Sequence, residues 1–548
     1  MPTVNFHSID QNSNTLWDVV PKLDALLSRN VPATHFVEDI DSAFTRHGAK
    51  EGGTGLRKER VLRGGESDWG ASLFYMEFLG RLPLDIRELE PFTGWTTAAL
   101  SRRLNSDMDE LYEQYSTSDN WQLTGASYVG ENHGLHRVIG DLRVAEIADH
   151  LRELLSRAES DLLRAFPETA AQARINNWFE RERTLVASLL RDHAADTLPQ
   201  LYKGWLTRRC VRQFPVKFTS EFFRLEQDNP AHRLLSLFIS RYEEAAACYN
   251  RAIKETGARL RTLKTTEGEL PFFALRRLDG SLVRSSLRLD GSSLCHAQGS
   301  WPLPASRLPW ERMRADGVVS VAGKALLLVI QARCEPGGAA LVLPHQGSLY
   351  MPTAHALERL LRENGLLPWD RLHSVYRVRF RLFDRMRGCQ TIIRLPDYLR
   401  QAFTSEEMTA AAFAEELSAQ CARIQHTFDR LRLNPAEHDR LMTELWPEDN
   451  TRRQSQEARR RELALSPEGR NEATQIRDEI RKLDATLLRR FFDWLVEQRR
   501  VLELLYYDSR GALLPWCVAL GGEPFYRSLI EQAELYPEPP DQGVAQMK

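Results

Sequence analysis

The chain opens with a short extended run, Thr3 to Phe6. An apolar stripe follows at helical spacing: Leu16, Val19, Val20, Leu23, Leu26 and Leu27. Asn14 is placed to cap that helix, and Pro21 inside it either bends the helix or delays its start. Thr34-His35-Phe36-Val37 reads as a second strand, with Glu38, Asp39 and Asp41 at its end. Strand, helix, strand and then an acidic cluster is a common opening of α/β nucleotide-binding cores.

From Asp141 to His193 the apolar period is helical. One stripe runs from Val144 to Phe166 and another from Ile175 to Leu189, on either side of Pro167. The pattern returns over 230–256, where Gly257 is a fitting C-cap. Leu270 to Leu287 predicts a hairpin turning at Asp279-Gly280. Gly317–Val321 and Ala325–Ile330 read equally as strand or buried helix. Ala339–Leu343 is one more short apolar run. Ser374–Leu382 alternates, with Val378, Phe380 and Leu382 on one side and Arg377, Arg379 and Arg381 on the other. That is a half-buried strand whose arginines are expected on a solvated face, with anion binding as the alternative.

The last 140 or so residues are mostly helical in pattern. Ile476, Ile480, Leu483, Leu487, Phe491, Trp494, Val501 and Leu505 fit a long amphipathic helix or an antiparallel coiled-coil hairpin. Residues 448–470 are expected to be its exposed tip, and the tail after Pro537 to be disordered. The predicted fold is α/β: a Rossmann-like core with helical insertions, plus a C-terminal α-helical coiled-coil hairpin. The predicted boundaries are 1–140 and 266–400 for the two α/β parts, 141–265 for a helical insertion and 401–548 for the C-terminal helices.

Length and composition narrow the class. The 548 residues are 42% hydrophobic and 27% charged, which suits a globular chain of several domains. The net charge is −2, which weighs against a general nucleic-acid binder. Lysine is rare and arginine carries nearly all the positive charge. No apolar run reaches the length of a membrane span, and residues 1–11 lack the pattern of a signal peptide. Seven scattered cysteines form no CxxC pair. A reducing cytoplasm is expected, without a zinc site or disulfide framework.

The candidate chemistry centres on Gly323 to Tyr350. Here an apolar element ends in Arg333, Gly337-Gly338 follow, and a second apolar element ends in His345-Gln346-Gly347-Ser348-Leu349-Tyr350. Polar groups at the ends of buried elements are where α/β sheets bind ligands. His345 suits acid/base work or a phosphate contact. Lys324 and Arg333 suit an anion, and Gln346, Ser348 and Tyr350 complete a substrate-binding set. His7, after the first strand, and Asp39, after the second, would join His345 as catalytic groups. The glycine-rich stretch 48–70 lacks GxGxxG and GxxxxGK[ST] and reads as a flexible connection. His133 and His136 have a metal-like spacing but no third ligand, and no nucleophile motif occurs.

Four stretches carry a family resemblance. They are Tyr249-Asn250-Arg251-Ala252-Ile253 leading through Gly257 into Glu267–Phe273, the segment Gly323–Tyr350, the long charged helix pair, and a close with Leu513-Leu514-Pro515-Trp516, Glu523-Pro524-Phe525-Tyr526 and Leu529-Ile530. In these the C-terminal two-thirds resembles the putative cysteine ligase family of bacillithiol synthesis and related bacterial proteins. The resemblance implies a Rossmann-type core with inserted helices and a coiled coil that forms a dimer. It also implies a reaction joining cysteine to an amino-sugar conjugate. The family's N-terminal Gly-His-Gln signature is absent, so no site residue is carried over from it.

The expected function is therefore a cytoplasmic ligase or transferase acting on a small amine, amino acid or sugar-like metabolite, with a nucleotide as possible cofactor. A homodimer through the C-terminal helices is expected, with no membrane and no nucleic-acid partner. The alternatives are a non-catalytic dimeric scaffold and a helical module binding protein or nucleic acid.

Overall fold

The computed structural model describes residues 5–9, 17, 19–40, 89–104, 106, 135–209, 214–258, 260–345, 350–395, 397–434, 436–505 and 513–538. The strands run in chain order as β1 (Phe6–Ile9), β2 (Ala33–Val37), β3 (Leu135–Arg137), β4 (Val216–Phe218) and β5 (Glu269–Leu278). Next come β6 (Ser281–Asp290), β7 (Ser293–His296), β8 (Gly299–Pro302), β9 (Val318–Gly323) and β10 (Ala340–Pro344). The last are β11 (Val375–Arg379), β12 (Ile392–Arg394), β13 (Glu407–Thr409) and β14 (Glu534–Pro537). The chain is mixed α/β and divides into two units. The first comprises Met1–Phe78, Asn120–Arg385 and Tyr506–Lys548, and the second Leu79–Asp119 and Met386–Leu505.

The first unit holds two sheets. One has the order β14-β11-β10-β1-β2-β4. Its five strands from β4 to β11 are parallel, and β14 closes the edge antiparallel to β11. Chain order reverses at β1: β2 and β4 lie to one side of it, β10 and β11 to the other. The steps β1→β2 and β10→β11 thus run in opposite directions across the sheet. Right-handed crossovers then place the Val20–Ser28 and Met351–Glu363 helices on opposite faces. Pro21 sets the start of the first of these. It occupies the first turn, where its missing N–H costs nothing, so the helix begins at Val20 and not at Thr15.

One face of this sheet presents Ile9, Phe36, Leu341, Leu343 and Val375. They share an apolar cluster with Leu357, Leu360 and Leu361 of the Met351–Glu363 helix, and with Phe272, Leu275 and Val321 of the second sheet. Burying each such side chain contributes about 1.5–3 kcal/mol. The Val20–Ser28 helix packs instead with the Leu513–Gly521 and Glu523–Gln532 helices, which return to this unit after the second one.

The second sheet has the order β8-β7-β6-β5-β9, with β3 added on β6. Its β5–β6 hairpin turns at Asp279 (φ 48°) and Gly280 (φ 86°). Two successive positive φ angles are what a two-residue hairpin loop demands, and Asp-Gly supplies them at low cost. The ambiguous apolar runs resolve as β9 and the Ala325–Gln331 helix. The helical stripes at 141–193 and 230–256 become helices Val144–Ala165, Thr169–Asp192, Arg233–Ser240 and Tyr242–Thr256. Gly257 does take the left-handed C-cap (φ 62°).

The expected arginine face of Ser374–Leu382 is corrected. Arg377 is buried, because its guanidinium grips Glu538 with Nε at 2.9 Å and Nη2 at 3.1 Å. Its Nη1 also donates to Pro344 O at 2.9 Å. The strand ends at Arg379, and Arg381 takes a left-handed φ of 56°.

In the second unit the Pro447–Leu463 and Arg470–Glu503 helices pair antiparallel. Arg453 bonds Asp484, Gln456 bonds Glu479, and Arg459 bonds Glu472 nearer the turn. The shorter helix has no buried residue, whereas Gly469, within the 448–470 stretch expected to be exposed, is buried. Among the described residues no helix is long and apolar enough to cross a membrane.

Candidate functional site

The carboxyl ends of the parallel strands gather the polar groups. At the end of β2, Asp39 is buried and accepts two hydrogen bonds from Ser220, which follows β4. The Ser220 backbone N–H donates at 2.8 Å, and its hydroxyl donates to the second carboxylate oxygen. Thr219 donates to Val37 O at 3.1 Å and so ties the two strand ends together. Burial drives the Asp39 pKa up to about 7, although the Ser220 bonds oppose it. Glu38 beside it is also buried and caps Ile40 N–H at 2.8 Å. Gly140 donates to Asp39 O at 3.0 Å, and a Cβ there would lie 2.7 Å from that oxygen. Only glycine allows this approach.

On the other side of β1, His345 follows the last residue of β10. Its backbone N–H donates to Val378 O at 2.8 Å, and its Nδ1 is hydrogen-bonded to the Tyr536 hydroxyl of β14. Burial lowers its pKa to about 4, and the nearby Arg379 and Arg377 charges add to this. The imidazole is therefore uncharged at neutral pH. Asp39 and His345 follow the strands that flank β1, so about 10 Å, two strand spacings, separates those strands across the sheet.

His7 is not brought to this edge. It lies inside β1, aligned with Leu341 and Thr34. His345 is four residues past Leu341, about 13 Å further along at ~3.3 Å per residue. His7 is buried, bonds Ala332 O at 3.2 Å through Nδ1, and packs edge-on against Phe36 and Phe222. Burial lowers its pKa to about 4.

Arg333 is also elsewhere. It donates to Val329 O, to His373 O just before β11, and to Glu358 at 2.8 Å, which places it toward the amino ends of the strands. Lys324 caps the Ala325–Gln331 helix and lies 3.6 Å from Glu269, which Arg261 also bonds. Burial lowers the Lys324 pKa against the pull of Glu269, and Arg261 and Arg284 lower it further. Arg284 in turn donates to Ile40 O at 3.3 Å, so this cationic cluster reaches the end of β2. Tyr350 immediately precedes the Met351–Glu363 helix and packs against the apolar cluster. Gln346 and Ser348, the 48–70 stretch and His133 lie outside the described residues, and of His136 only the backbone, within β3, is described.

Sequence reasoning missed Ser220, Tyr536 and the Arg377–Glu538 pair. The alternation Glu534, Tyr536, Glu538 was a readable signal for the last two, since a strand places such positions on one face. In comparisons with known proteins, no family model, no curated protein and no solved structure matches this chain.

Proposed function

We propose that this protein is an enzyme of Rossmann-like fold, a ligase or transferase for a small amine, amino acid or sugar-like metabolite bound outside the carboxyl ends of β1 and β10. The observation that carries the reading is the strand order. Numbered along the chain, the six strands lie in the order 3-2-1-4-5-6, with the reversal at β1. Sheets of this order bind ligands in the crevice where the order reverses. Asp39 and His345 flank that position.

The two groups divide the chemistry. A carboxyl group with a pKa near 7 is suited to take the proton an attacking amine loses. An uncharged imidazole is suited to hydrogen-bond an oxygen of the partner substrate. The Met351–Glu363 helix runs back from the carboxyl edge toward β11, so its N-terminus faces the crevice and favours a negative group, such as a nucleotide phosphate. The scattered cysteines, with no CxxC pair along the chain, favour a reducing compartment, the cytoplasm.

The test is a thermal-shift screen of the full chain with ATP, cysteine and glucosamine, alone and combined. A ligand at about 100 times its Kd adds roughly 2.7 kcal/mol. A shift seen in the wild type and lost in both Asp39→Asn and His345→Ala supports the reading. No shift from any of these ligands rejects it.

A second proposal concerns assembly. The helix pair at 447–503 is read as a coiled-coil arm that joins two copies. Leu465, 88% exposed at its turn, favours a contact there. Sedimentation of the wild type as a monomer would remove the dimer from the reading.

A further inference from the structure

The C-terminal strand does more than close a sheet edge. Glu534 and Tyr536 of β14 and Glu538 just past its end alternate on one face, and each reaches a polar group in or just after the neighbouring strands. Glu534 pairs with Arg381 at 2.7 Å, and Arg381 also lies 3.5 Å from Asp384. Glu538 is held by Arg377 Nε and Nη2 and faces His355 at 3.8 Å. Tyr536 is left to His345 Nδ1. In register it lies opposite Arg377, and the Arg379 charge also acts on it.

The direction of that hydrogen bond follows from the neighbours. Arginine donates and never accepts. The two carboxylates near the phenol already hold cations. The Arg377 and Arg379 charges draw the phenol's lone pairs, which favours its proton on the Nδ1 side and the ring proton of His345 on Nε2. We propose that Tyr536 is a positioning residue: it fixes His345 as the Nε2–H tautomer, a neutral hydrogen-bond donor for a phosphate or carboxylate oxygen of the ligand. The N-terminus of the Met351–Glu363 helix, on the same edge, favours the same kind of group. A neutral imidazole donor can polarise such an oxygen without transferring a charge. The chain thus completes its site only when residues 513–538 have returned from the excursion through the second unit.

This inference rests on the crevice reading above but is tested separately. The full chain is labelled with 15N-histidine, and the His345 resonances are assigned by their loss in His345→Gln. Inorganic phosphate and acetate are titrated as separate probes, so that a phosphate site is told from a carboxylate site. The expected result is an Nε2–H tautomer whose Nε2 resonance moves with one of the probes. Tyr536→Phe should mix the tautomers and weaken that probe by about tenfold, the usual effect of losing one hydrogen bond.

An Nδ1–H tautomer in the wild type overturns the proposal, as does a His345 signal that neither probe moves. Unchanged tautomer and affinity in Tyr536→Phe overturn it as well. If that variant does not fold, the wild-type tautomer and titration decide alone. A ligand-induced thermal shift that depends on Asp39, together with the wrong His345 tautomer, would leave the crevice reading standing and remove this one.

Discussion

The Tyr526 hydroxyl donates to Asp24 at 2.6 Å, which joins the Glu523–Gln532 helix to the Val20–Ser28 helix. Burial raises the Asp24 pKa, and the Tyr526 bond opposes that rise. Arg29 strengthens the junction by donating to Ala533 O. Tyr526→Phe keeps the ring and removes the donor. It should cost about 1–3 kcal/mol, the penalty for a buried acceptor left unmade. Urea unfolding of the two proteins would show the difference as a shift in midpoint at constant slope. A shift within error would mean that the helix is held by its apolar contacts alone.

Glu538 and Arg377 form the second fastening. The side chains are 14% and 9% exposed, so the pair is little screened by water. Glu538 has a lowered pKa. Burial works to raise it, but His355 and Arg377 together outweigh that. Glu538→Gln leaves a buried guanidinium without its counter-charge and should cost about 3 kcal/mol. The depressed pKa also sets a direction with pH. The stability this pair supplies is present above the ordinary glutamate range and lost as pH falls below it through the lowered pKa. Wild type and variant should therefore converge in melting temperature on acidification.

The buried histidines should add an acid-side loss of their own. His7 and His345 are both depressed to about 4 from 6.5. Each favours folding above 6.5, and that stability is lost as pH falls from 6.5 toward 4. His7→Phe replaces a ring already packed between Phe36 and Phe222. It should reduce the loss between those pH values without weakening any ligand found in the thermal-shift screen. If ligand binding fell with the fold intact, His7 would belong to the site after all.

Asp39 runs the other way. Its pKa is raised from 3.8 to about 7, so its protonated form is the one the fold prefers. The stability it supplies is complete below about 4 and lost as pH rises toward 7. Asp39→Asn should gain on the wild type in melting temperature across that interval, while losing the ligand response. A substitution that stabilises the fold and removes function is the mark of a group held in place for its chemistry. Gly140→Ala offers a check that leaves the carboxylate in place. It forces a Cβ against Asp39 O, should destabilise by about 1–3 kcal/mol through overpacking, and should weaken the same ligand.

Much of the local structure was legible along the chain. The apolar stripes around Pro167 marked two helices because a 3.6-residue period is written into the positions themselves. Asp279-Gly280 announced its hairpin because few residue pairs accept two left-handed angles. Gly323–Tyr350 was singled out as a place where buried elements end in polar groups; His345 stands just past the end of β10, and residues 346–349 lie outside the described residues. Arg333 has the same local setting and a different fate. It is absorbed by Glu358 and two carbonyls, since a guanidinium buried in the core must spend its donors where acceptors happen to be.

The tertiary structure decided what lies across from what. The sequence by itself determined the elements, because propensity and period act over a few residues. Strand order is different: β1 sits beside β10, more than three hundred residues away, and no local pattern encodes that pairing. Register along β1 set His7 behind the carboxyl edge, and strand order put Asp39 and His345 on either side of β1. Tyr536 reached His345 in the same way, through a strand that returns from the far end of the chain. Such placements come from burying one sheet under many helices at once, a balance of contacts that exists only when the whole unit is assembled.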